Sequence, residues 1–274
     1  TGISGGVTSD ESNYNTSAGS GAGASFSGND AKYNTLFGDD AGNDITTGDY
    51  NSAFGFYSLT KVTTAGNNTG FGASTLRQTV TGTGNTAIGS SALENNTASN
   101  NNAFGYQALY LNTTGSDNTA VGYQALTANT TASSNNAFGY QALKANTTGT
   151  QNQAFGREAM WSCTTGGWNV GIGNGALWAN VSGNYNTGVG RSALYNNTGS
   201  NNTSLGYHAG NSITTGSNNT CIGNDADASA VDVSNEITLG NTSITKFRIP
   251  GLNFSIKDST ATDNYVLTVD ANGD

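Results

Sequence analysis

The feature that most constrains the fold is an internal repeat of about 17 residues that occupies most of the chain. Residues 118–140 read NTAVGYQALTANTTASSNNAFGY, in which Asn118 is followed four residues later by Gly122 and then by Asn129-Thr-Thr. The same phrase begins again at Asn135. Such self-similarity decides the architecture before any local pattern does. The glycine of each copy, here its landmark glycine, recurs at Gly38, Gly55, Gly72, Gly89, Gly105, Gly122, Gly139, Gly156, Gly173, Gly190, Gly206, Gly223 and Gly240.

Successive landmark glycines are 17 residues apart, except before Gly105 and Gly206, where the spacing is 16. A fixed period sustained over so many copies is typical of a solenoid, in which each coil, or rung, contacts only its neighbours. We therefore predict an all-β fold, a parallel β-solenoid or β-roll with about 17 residues per rung. At about 4.8 Å per rung, the repeat predicts a shaft roughly 58 Å long.

Composition agrees with a repeat array and limits the partners. Of the 274 residues, 34% are hydrophobic and 10% are charged, and Gly, Asn, Thr and Ser fill the remainder. Such residues become ordered when each copy pairs with an identical neighbour. The net charge of −9 argues against nucleic-acid binding. No apolar run is long enough to cross a membrane, and no signal peptide opens the chain, so no membrane insertion is expected.

The sequence predicts three segments. Residues 1–33 are rich in Gly, Ser and Ala, which is compatible with a flexible leader and equally with degenerate rungs. Residues 34–240 carry the repeat and form the solenoid shaft. In residues 241–274 the period stops and apolar residues alternate between Phe247 and Val269, as expected for a cap or a transition segment. The ending, residues 270–274, resembles a turn without a return strand, which predicts a longer parent chain.

Each rung has an apolar pair just before its landmark glycine, such as Ala120-Val121 and Ala137-Phe138. Neighbouring side chains of a strand point to opposite faces, so one member of each pair lies inside the rung and the other points outward. A monomeric solenoid would have polar residues at the outward place, yet that place stays apolar from rung to rung. We therefore predict that other copies of the chain cover it, in a homotrimeric fibre with a shared core.

A second apolar pair follows each landmark glycine, as at Ala125-Leu126 and Ala142-Leu143. The phrase that contains it, YQALKAN at residues 140–146, is compatible with a strand and equally with a short helical turn in every rung, ended by Asn-Thr-Thr-Gly. Periodicity over so few residues leaves both alternatives open.

Asparagines form two columns, where a column is the set of residues at one position in successive rungs. Stacked asparagine side chains hydrogen-bond along the axis and tolerate left-handed corners, so we predict a structural ladder. Calcium binding is the alternative, but the acidic ligands it needs are sparse and scattered. The second column comprises Asn96, Asn112, Asn129, Asn146, Asn180 and Asn197. The first lies four residues before the landmark glycines, at Asn34, Asn51, Asn68, Asn85, Asn101, Asn118, Asn135, Asn152, Asn169, Asn186, Asn202 and Asn219.

Aromatic residues also share rung positions. One position follows the leucine of the second apolar pair, and another follows the landmark glycine. Aromatic columns suit recognition of a sugar or a partner protein, and the alternative is that they cover the seam between chains or the flank of a rung. The candidate recognition residues are Tyr110, Trp161, Trp178 and Tyr195 at the first position, with Tyr106, Tyr123, Tyr140 and Tyr207 at the second.

No catalytic, metal-binding or cofactor-binding pattern is recognisable. His208 is the only histidine, and no serine or cysteine lies at a spacing that would pair with it. Cys221 takes the place of Ala120 in its rung, so it is expected to be buried, whereas Cys163 replaces an asparagine of the second column. The two lie about four rungs apart, too far for one disulfide. We expect a protein that is not an enzyme and that uses no cofactor or metal.

With these residues identified, a resemblance can be stated. The phrase NTAVGYQALTANTTA at residues 118–132 resembles repeats of bacteriophage tail fibres, and its Asn-Thr-Ala-Val-Gly step also resembles the YadA-like head of trimeric autotransporter adhesins. The likeness covers roughly residues 34–240, and NEITLGNTSITKFRIPG at residues 235–251 resembles the end of repeat blocks in phage fibres. The 17-residue period is longer than that of the YadA-like head. An anchored stalk and barrel are missing, which favours the phage fibre.

The resemblance implies a trimeric β-rich shaft, located in the virion, that supports attachment to a host cell. Its expected partners are further copies of itself, other virion or fibre proteins, and a host surface glycan or protein. The alternatives are a bacterial cell-surface adhesin or extracellular filament protein and, third, an ice-binding solenoid that presents threonine pairs such as Thr130-Thr131.

Overall fold

The computed structural model describes residues 8–10, 13–26 and 30–246, and these residues form strands, turns and bends without any helix. Fifteen short strands make a single sheet whose spatial order follows the chain order. The strands are β1 (Thr8–Asp10), β2 (Asn15–Ala18), β3 (Thr35–Phe37), β4 (Ser52–Phe54), β5 (Thr69–Phe71), β6 (Thr86–Ile88), β7 (Asn102–Phe104), β8 (Thr119–Val121), β9 (Asn136–Phe138), β10 (Gln153–Phe155), β11 (Val170–Ile172), β12 (Thr187–Val189), β13 (Thr203–Leu205), β14 (Thr220–Ile222) and β15 (Ile237–Leu239).

The sheet is a parallel β-solenoid, which confirms the predicted fold class and the spacing of about 17 residues per rung. Each strand from β2 to β14 pairs in parallel with the strand one rung later, as Ala120 does with Ala137. Only β1 runs antiparallel, against β2. Because β2 pairs with β3, the solenoid already includes Asn15–Ala18 within the glycine-rich segment 1–33.

The strands are short, and each strand from β3 to β14 contributes one buried inward residue. In β8, Ala120 is fully buried while Thr119 and Val121 flank it on the outer face. Small residues suit this inward position because the interior of a rung is narrow. The remaining core volume comes from a column of leucines four residues after the landmark glycines, including Leu109 and Leu126, both without solvent exposure.

The segment after each landmark glycine is not a helical turn. Gln107 and Leu109 both have φ of 53°, and the same alternation of left-handed residues recurs at Gln124 and Leu126. The Gln107 N–H donates backward to Ser90 O at 3.1 Å, and the Leu109 N–H donates forward to Ala125 O at 3.0 Å. Hydrogen bonds to both neighbouring rungs therefore outweigh the helix propensity of this phrase, and the helical alternative was wrong.

Core volume is exchanged between two positions in some rungs. Gly42 and Gly210 occupy the position of the column leucines, and Ile45 and Ile213 follow three residues later, where other rungs have asparagine. A Cβ on Gly42 would lie 2.8 Å from the Ile45 Cδ1 atom. The isoleucine therefore fills the space that a leucine fills elsewhere, and the interior stays packed.

The chain separates into two compact units, Thr1–Asn241 and Thr242–Asp274. Of the second unit the structure describes only residues 242–246, which contain a turn. The predicted alternation of apolar residues between Phe247 and Val269, and the turn at residues 270–274, lie outside the described residues.

Candidate functional site

The asparagine ladder is a continuous hydrogen-bonded column inside the solenoid. In each step, the backbone N–H of one asparagine donates to the side-chain Oδ1 of the asparagine one rung earlier, at 2.9–3.1 Å. The side-chain Nδ2 of Asn118 donates to the carbonyl oxygen of Ala132 in the next rung at 2.9 Å. The amide thus satisfies two buried backbone groups of the next rung, the Ala132 carbonyl and the Asn135 N–H, which is a structural role. The predicted members Asn101, Asn118, Asn135, Asn152, Asn169 and Asn186 all lie in this column with no solvent exposure.

The landmark glycines form a second continuous column, at a corner of the rung. Gly122 has φ of 134°, a conformation that side chains rarely allow. A Cβ on Gly122 would also lie 2.3 Å from the carbonyl oxygen of Gly139 in the next rung. Close backbone stacking therefore requires glycine here. The predicted members Gly105, Gly139, Gly156, Gly173 and Gly190 have φ between 131° and 145°.

The second asparagine column is hydrogen-bonded but interrupted. The Nδ2 of Asn129 donates to Asn112 Oδ1 at 2.7 Å, and the Nδ2 of Asn146 donates to Asn129 Oδ1 at 2.9 Å. One rung later the position is held by Cys163, whose Sγ donates instead to the Gly166 carbonyl at 3.4 Å. The Asn146 Oδ1 atom is left buried without a partner.

Both cysteines are buried free thiols, and the burial of Cys221 was predicted from its rung position. Burial raises the pKa of Cys163 to about 12 and that of Cys221 to about 11. A thiol held in its protonated form is a poor nucleophile, so neither cysteine is placed for catalysis.

An apolar stripe runs along the outer face of the sheet, with one side chain from each strand from β3 to β15. In the single chain these side chains are half-buried or exposed; Phe71, for example, is 58% exposed and Leu205 is 51% exposed. The Phe138 and Phe155 rings stack with their centroids 4.8 Å apart. The outward stripe consists of Phe37, Phe54, Phe71, Ile88, Phe104, Val121, Phe138, Phe155, Ile172, Val189, Leu205, Ile222 and Leu239.

Three of the four aromatic residues predicted at the first rung position form one stack, here the indole column. The Trp161 and Trp178 rings lie 5.2 Å apart, and Tyr195 follows Trp178 at 5.3 Å. All three are half-buried. The fourth residue, Tyr110, is also half-buried but stacks on no ring of the described residues. Since the rings lie face to face along the axis, they cover one another and present mainly their edges to solvent.

The tyrosines after the landmark glycines form an exposed stack. Tyr106, Tyr123 and Tyr140 follow one another with centroids 5.3 and 5.4 Å apart. Tyr207, further along the same column, stacks on its neighbour His208 at 3.9 Å. The His208 Nδ1 atom lies 3.5 Å from an Asp225 carboxylate oxygen, on the surface of its rung.

Sequence reasoning missed a further aromatic column, directly before the asparagine ladder. Tyr14, Tyr33 and Tyr50 stack at 5.2 and 4.8 Å, and Trp168 stacks on Tyr185 at 5.3 Å. All five are exposed and have φ of 58–59°, although most rungs place Asn, Asp, Ser or Gly at this position. The signal was available, because each of these residues directly precedes an asparagine of the ladder.

The threonine pairs have divided roles. In each pair, the hydroxyl of the first threonine is hydrogen-bonded within the solenoid. Thr130 Oγ1 donates to Thr147 O at 3.2 Å, and Thr147 Oγ1 donates to Thr164 O at 3.1 Å. The second member, such as Thr131 or Thr148, is exposed.

Within the part of the chain that the structure describes, no group of His, Cys, Asp and Glu could hold a metal ion. The same residues include no helix that could span a membrane. No known family model matches the chain, and comparison with curated proteins and with solved structures found no match either.

Proposed function

We propose that this chain is a structural protein rather than an enzyme, the trimeric shaft of a phage tail fibre in the virion, where it supports attachment to a host cell. The observation that carries the proposal is the outward stripe, which repeats one apolar side chain in every rung over the length of the sheet. The resemblance of residues 34–240 to phage fibre repeats supports the same assignment.

An apolar stripe of this extent is expected to be buried in an interface. Soluble monomers rarely expose contiguous apolar surface of such extent, because its burial is favourable at about 25 cal/mol per Å². A repeated stripe parallel to the solenoid axis is covered along its whole length when three copies pack around a parallel three-fold axis. Each copy would then contribute Phe, Ile, Val and Leu from the same rung to one layer of a shared core.

The interior supports a mechanical role. The ladder hydrogen bonds and the strand pairing both run along the axis, so each rung is tied to its neighbours through backbone and side chain. Stiffness in a shaft comes from such axial bonding, and the aromatic columns on the outside add stacking contacts between rungs.

The proposed location is tested by electron microscopy with gold-labelled antibodies raised against the purified chain. Both phage particles and uninfected host cells are exposed to the antibody. Labelling of the tail appendages of the phage particles, without labelling of the host cells, supports the fibre assignment. Labelling of the surface of the producing cells instead would support the alternative, a cell-surface adhesin or extracellular filament protein. The ice-binding alternative is not favoured, since half of its threonine hydroxyls donate within the solenoid.

A further inference from the structure

The middle of the solenoid differs in charge from the rest of the chain. Although the whole chain carries −9, residues 118–224 contain a single acidic residue, Glu158. All three tryptophans also lie in this stretch, within residues 161–178. The cations of the stretch are Lys144, Arg157 and Arg191.

The two arginines occupy the same rung position, one residue after the landmark glycine, and Asn174 lies between them in the column. They are two rungs apart, which is roughly 10 Å along the axis. The Arg157 guanidinium lies over the Tyr140 ring at 5.7 Å, and that of Arg191 lies over the Tyr207 ring at 5.7 Å. Each arginine is thus held by a tyrosine on the side away from Asn174.

Side-chain contacts connect this column to the indole column. The Trp161 Nε1 atom donates to the Gln141 side-chain oxygen at 3.3 Å, and Gln141 is the chain neighbour of Tyr140. The Lys144 ammonium lies 5.9 Å from the centre of the Trp161 ring. The arginines and the indole column therefore border one surface of the solenoid.

This surface presents donors that the protein does not use. Among the described residues, the Asn174 amide, the Arg191 guanidinium and the Trp178 indole N–H have no hydrogen-bond acceptor. Arg157 bonds Glu158 at 3.0 Å, which leaves further N–H groups of its guanidinium free. Between the two columns Gly175 replaces the side chain that most rungs have at that position. We call Arg157, Asn174, Trp178 and Arg191 the central belt.

We propose that the central belt binds a linear acidic polysaccharide that lies along the solenoid axis. Guanidinium groups form charge-assisted, bidentate hydrogen bonds with carboxylates, and two of them roughly 10 Å apart suit a polymer whose charges are widely spaced. The amide and the indole N–H of the belt can donate to the uncharged hydroxyls between those charges. The inference rests on the proposed function, since it names the ligand of the attachment surface, but it uses no residue of the outward stripe.

Charge density separates this ligand from a nucleic acid. A nucleic-acid strand carries a charge about every 3.4 Å, which is denser than the belt can neutralise. The uncompensated phosphates would face a protein of net charge −9. A glycan with a uronate in every second sugar presents fewer charges and more hydroxyls, which the belt matches.

The test measures binding of the full chain to four probes by calorimetry: hyaluronate, polygalacturonate, neutral dextran and single-stranded DNA. We expect hyaluronate to bind, dextran to show no binding, and the DNA to bind more weakly than hyaluronate. Arg157→Gln combined with Arg191→Gln should weaken hyaluronate binding by about tenfold or more, the size expected for losing charged hydrogen bonds. Trp178→Phe keeps an aromatic ring but removes the N–H together with the five-membered ring of the indole, so it should weaken binding severalfold.

The matched control is Arg77→Gln, which removes another surface arginine that lies over a tyrosine ring, Tyr57, but outside the belt. This variant should bind hyaluronate as the unaltered chain does. Equal losses in Arg77→Gln and in the belt variant, DNA binding as tight as hyaluronate binding, or no binding of either acidic glycan would each overturn the proposal. The molar mass of the same samples is measured in parallel, so that loss of the trimer and loss of the glycan site are distinguished.

Discussion

Asn146 donates its side-chain amide to Asn129 at 2.9 Å, but Cys163 one rung later returns no hydrogen bond to the Asn146 oxygen. The second asparagine column is therefore interrupted at Cys163. We expect Cys163→Asn to complete the column and to stabilise the fold by about 1 kcal/mol, the usual net value of one buried hydrogen bond. Thermal and denaturant unfolding of the two proteins measure the difference.

The control for this change is Cys221→Asn, which places an amide at the inward strand position that Ala120 and Ala137 hold in other rungs. That variant should lose stability, because the position is narrow and the neighbouring rungs place Ser204 and Thr238 beside it rather than asparagines. If Cys163→Asn is less stable than the unaltered chain, an asparagine at this position does not pair the Asn146 oxygen in the way that the column predicts.

The asparagine ladder is expected to be sensitive to truncation. Asn118→Ala would remove the acceptor of the Asn135 N–H and leave that buried backbone group unpaired. The Ala132 carbonyl would lose one of its two donors and keep the Asn129 side-chain amide at 2.9 Å. One such unpaired group costs about 1–3 kcal/mol, so the loss should be about 1–3 kcal/mol in denaturant unfolding. The control is Asn174→Ala, which changes an exposed asparagine and should leave stability nearly unchanged. Similar losses of stability in both variants would exclude a special role for the ladder.

The landmark column should tolerate no side chain. Gly122→Ala places a Cβ 2.3 Å from the Gly139 carbonyl at a φ of 134°, so backbone must shift in two rungs and the melting temperature should fall sharply. Gly175→Ala is the matched change at a φ of 64°, where the nearest atom is the movable Tyr195 ring at 3.2 Å. We expect a much smaller loss there, and a circular-dichroism melt that ranks the two variants in the opposite order would contradict the stacking argument.

The sequence predicts the features that follow from the repeat period, but not those that depend on contacts between particular residues of neighbouring rungs. The 17-residue spacing predicts the parallel rungs, because identical residues such as Asn118 and Asn135 recur at a period that only stacking explains. The left-handed conformations of Gln107 and Leu109 were not predicted, since the local phrase favours helix and the hydrogen bonds that override it come from neighbouring rungs. The unstacked Tyr110 likewise depends on which residues lie in the rungs beside it.

The buried thiols should make stability fall at high pH. Their pKa values in the fold are raised from 9.0 to about 12 for Cys163 and about 11 for Cys221, so the folded chain keeps protons that the unfolded chain loses. This contribution is complete below pH 9 and is lost as pH rises toward the folded values. One unit above the unfolded pKa, the loss of stability amounts to about 1.4 kcal/mol per thiol.

The measurement is the free energy of unfolding between pH 8 and pH 11 for the unaltered chain and for a variant with Cys163→Ala and Cys221→Ala. All other side chains are common to both proteins, so the difference between their slopes reports the thiols. Identical slopes would show that the thiols ionise alike in the folded and unfolded chains.

The outward stripe should be sensitive to charge in a way that neighbouring surface is not. Phe138→Glu places a carboxylate within the stripe, and if three chains meet there, an unpaired charge is buried and the assembly should dissociate. Thr148→Glu adds the same charge to an exposed position that the stripe does not include. The first variant is expected to be a folded monomer and the second to keep the mass of the unaltered chain, as measured by light scattering with circular dichroism as the folding control.

The most direct measurement is the native molar mass of the unaltered chain by light scattering on a size-separated sample. The single chain has a mass of 27.8 kDa, and a shared core of three copies predicts a particle of three times that mass. A particle with the mass of one chain, stable at micromolar concentration, would mean that the outward stripe stays open to water and would contradict the trimeric shaft.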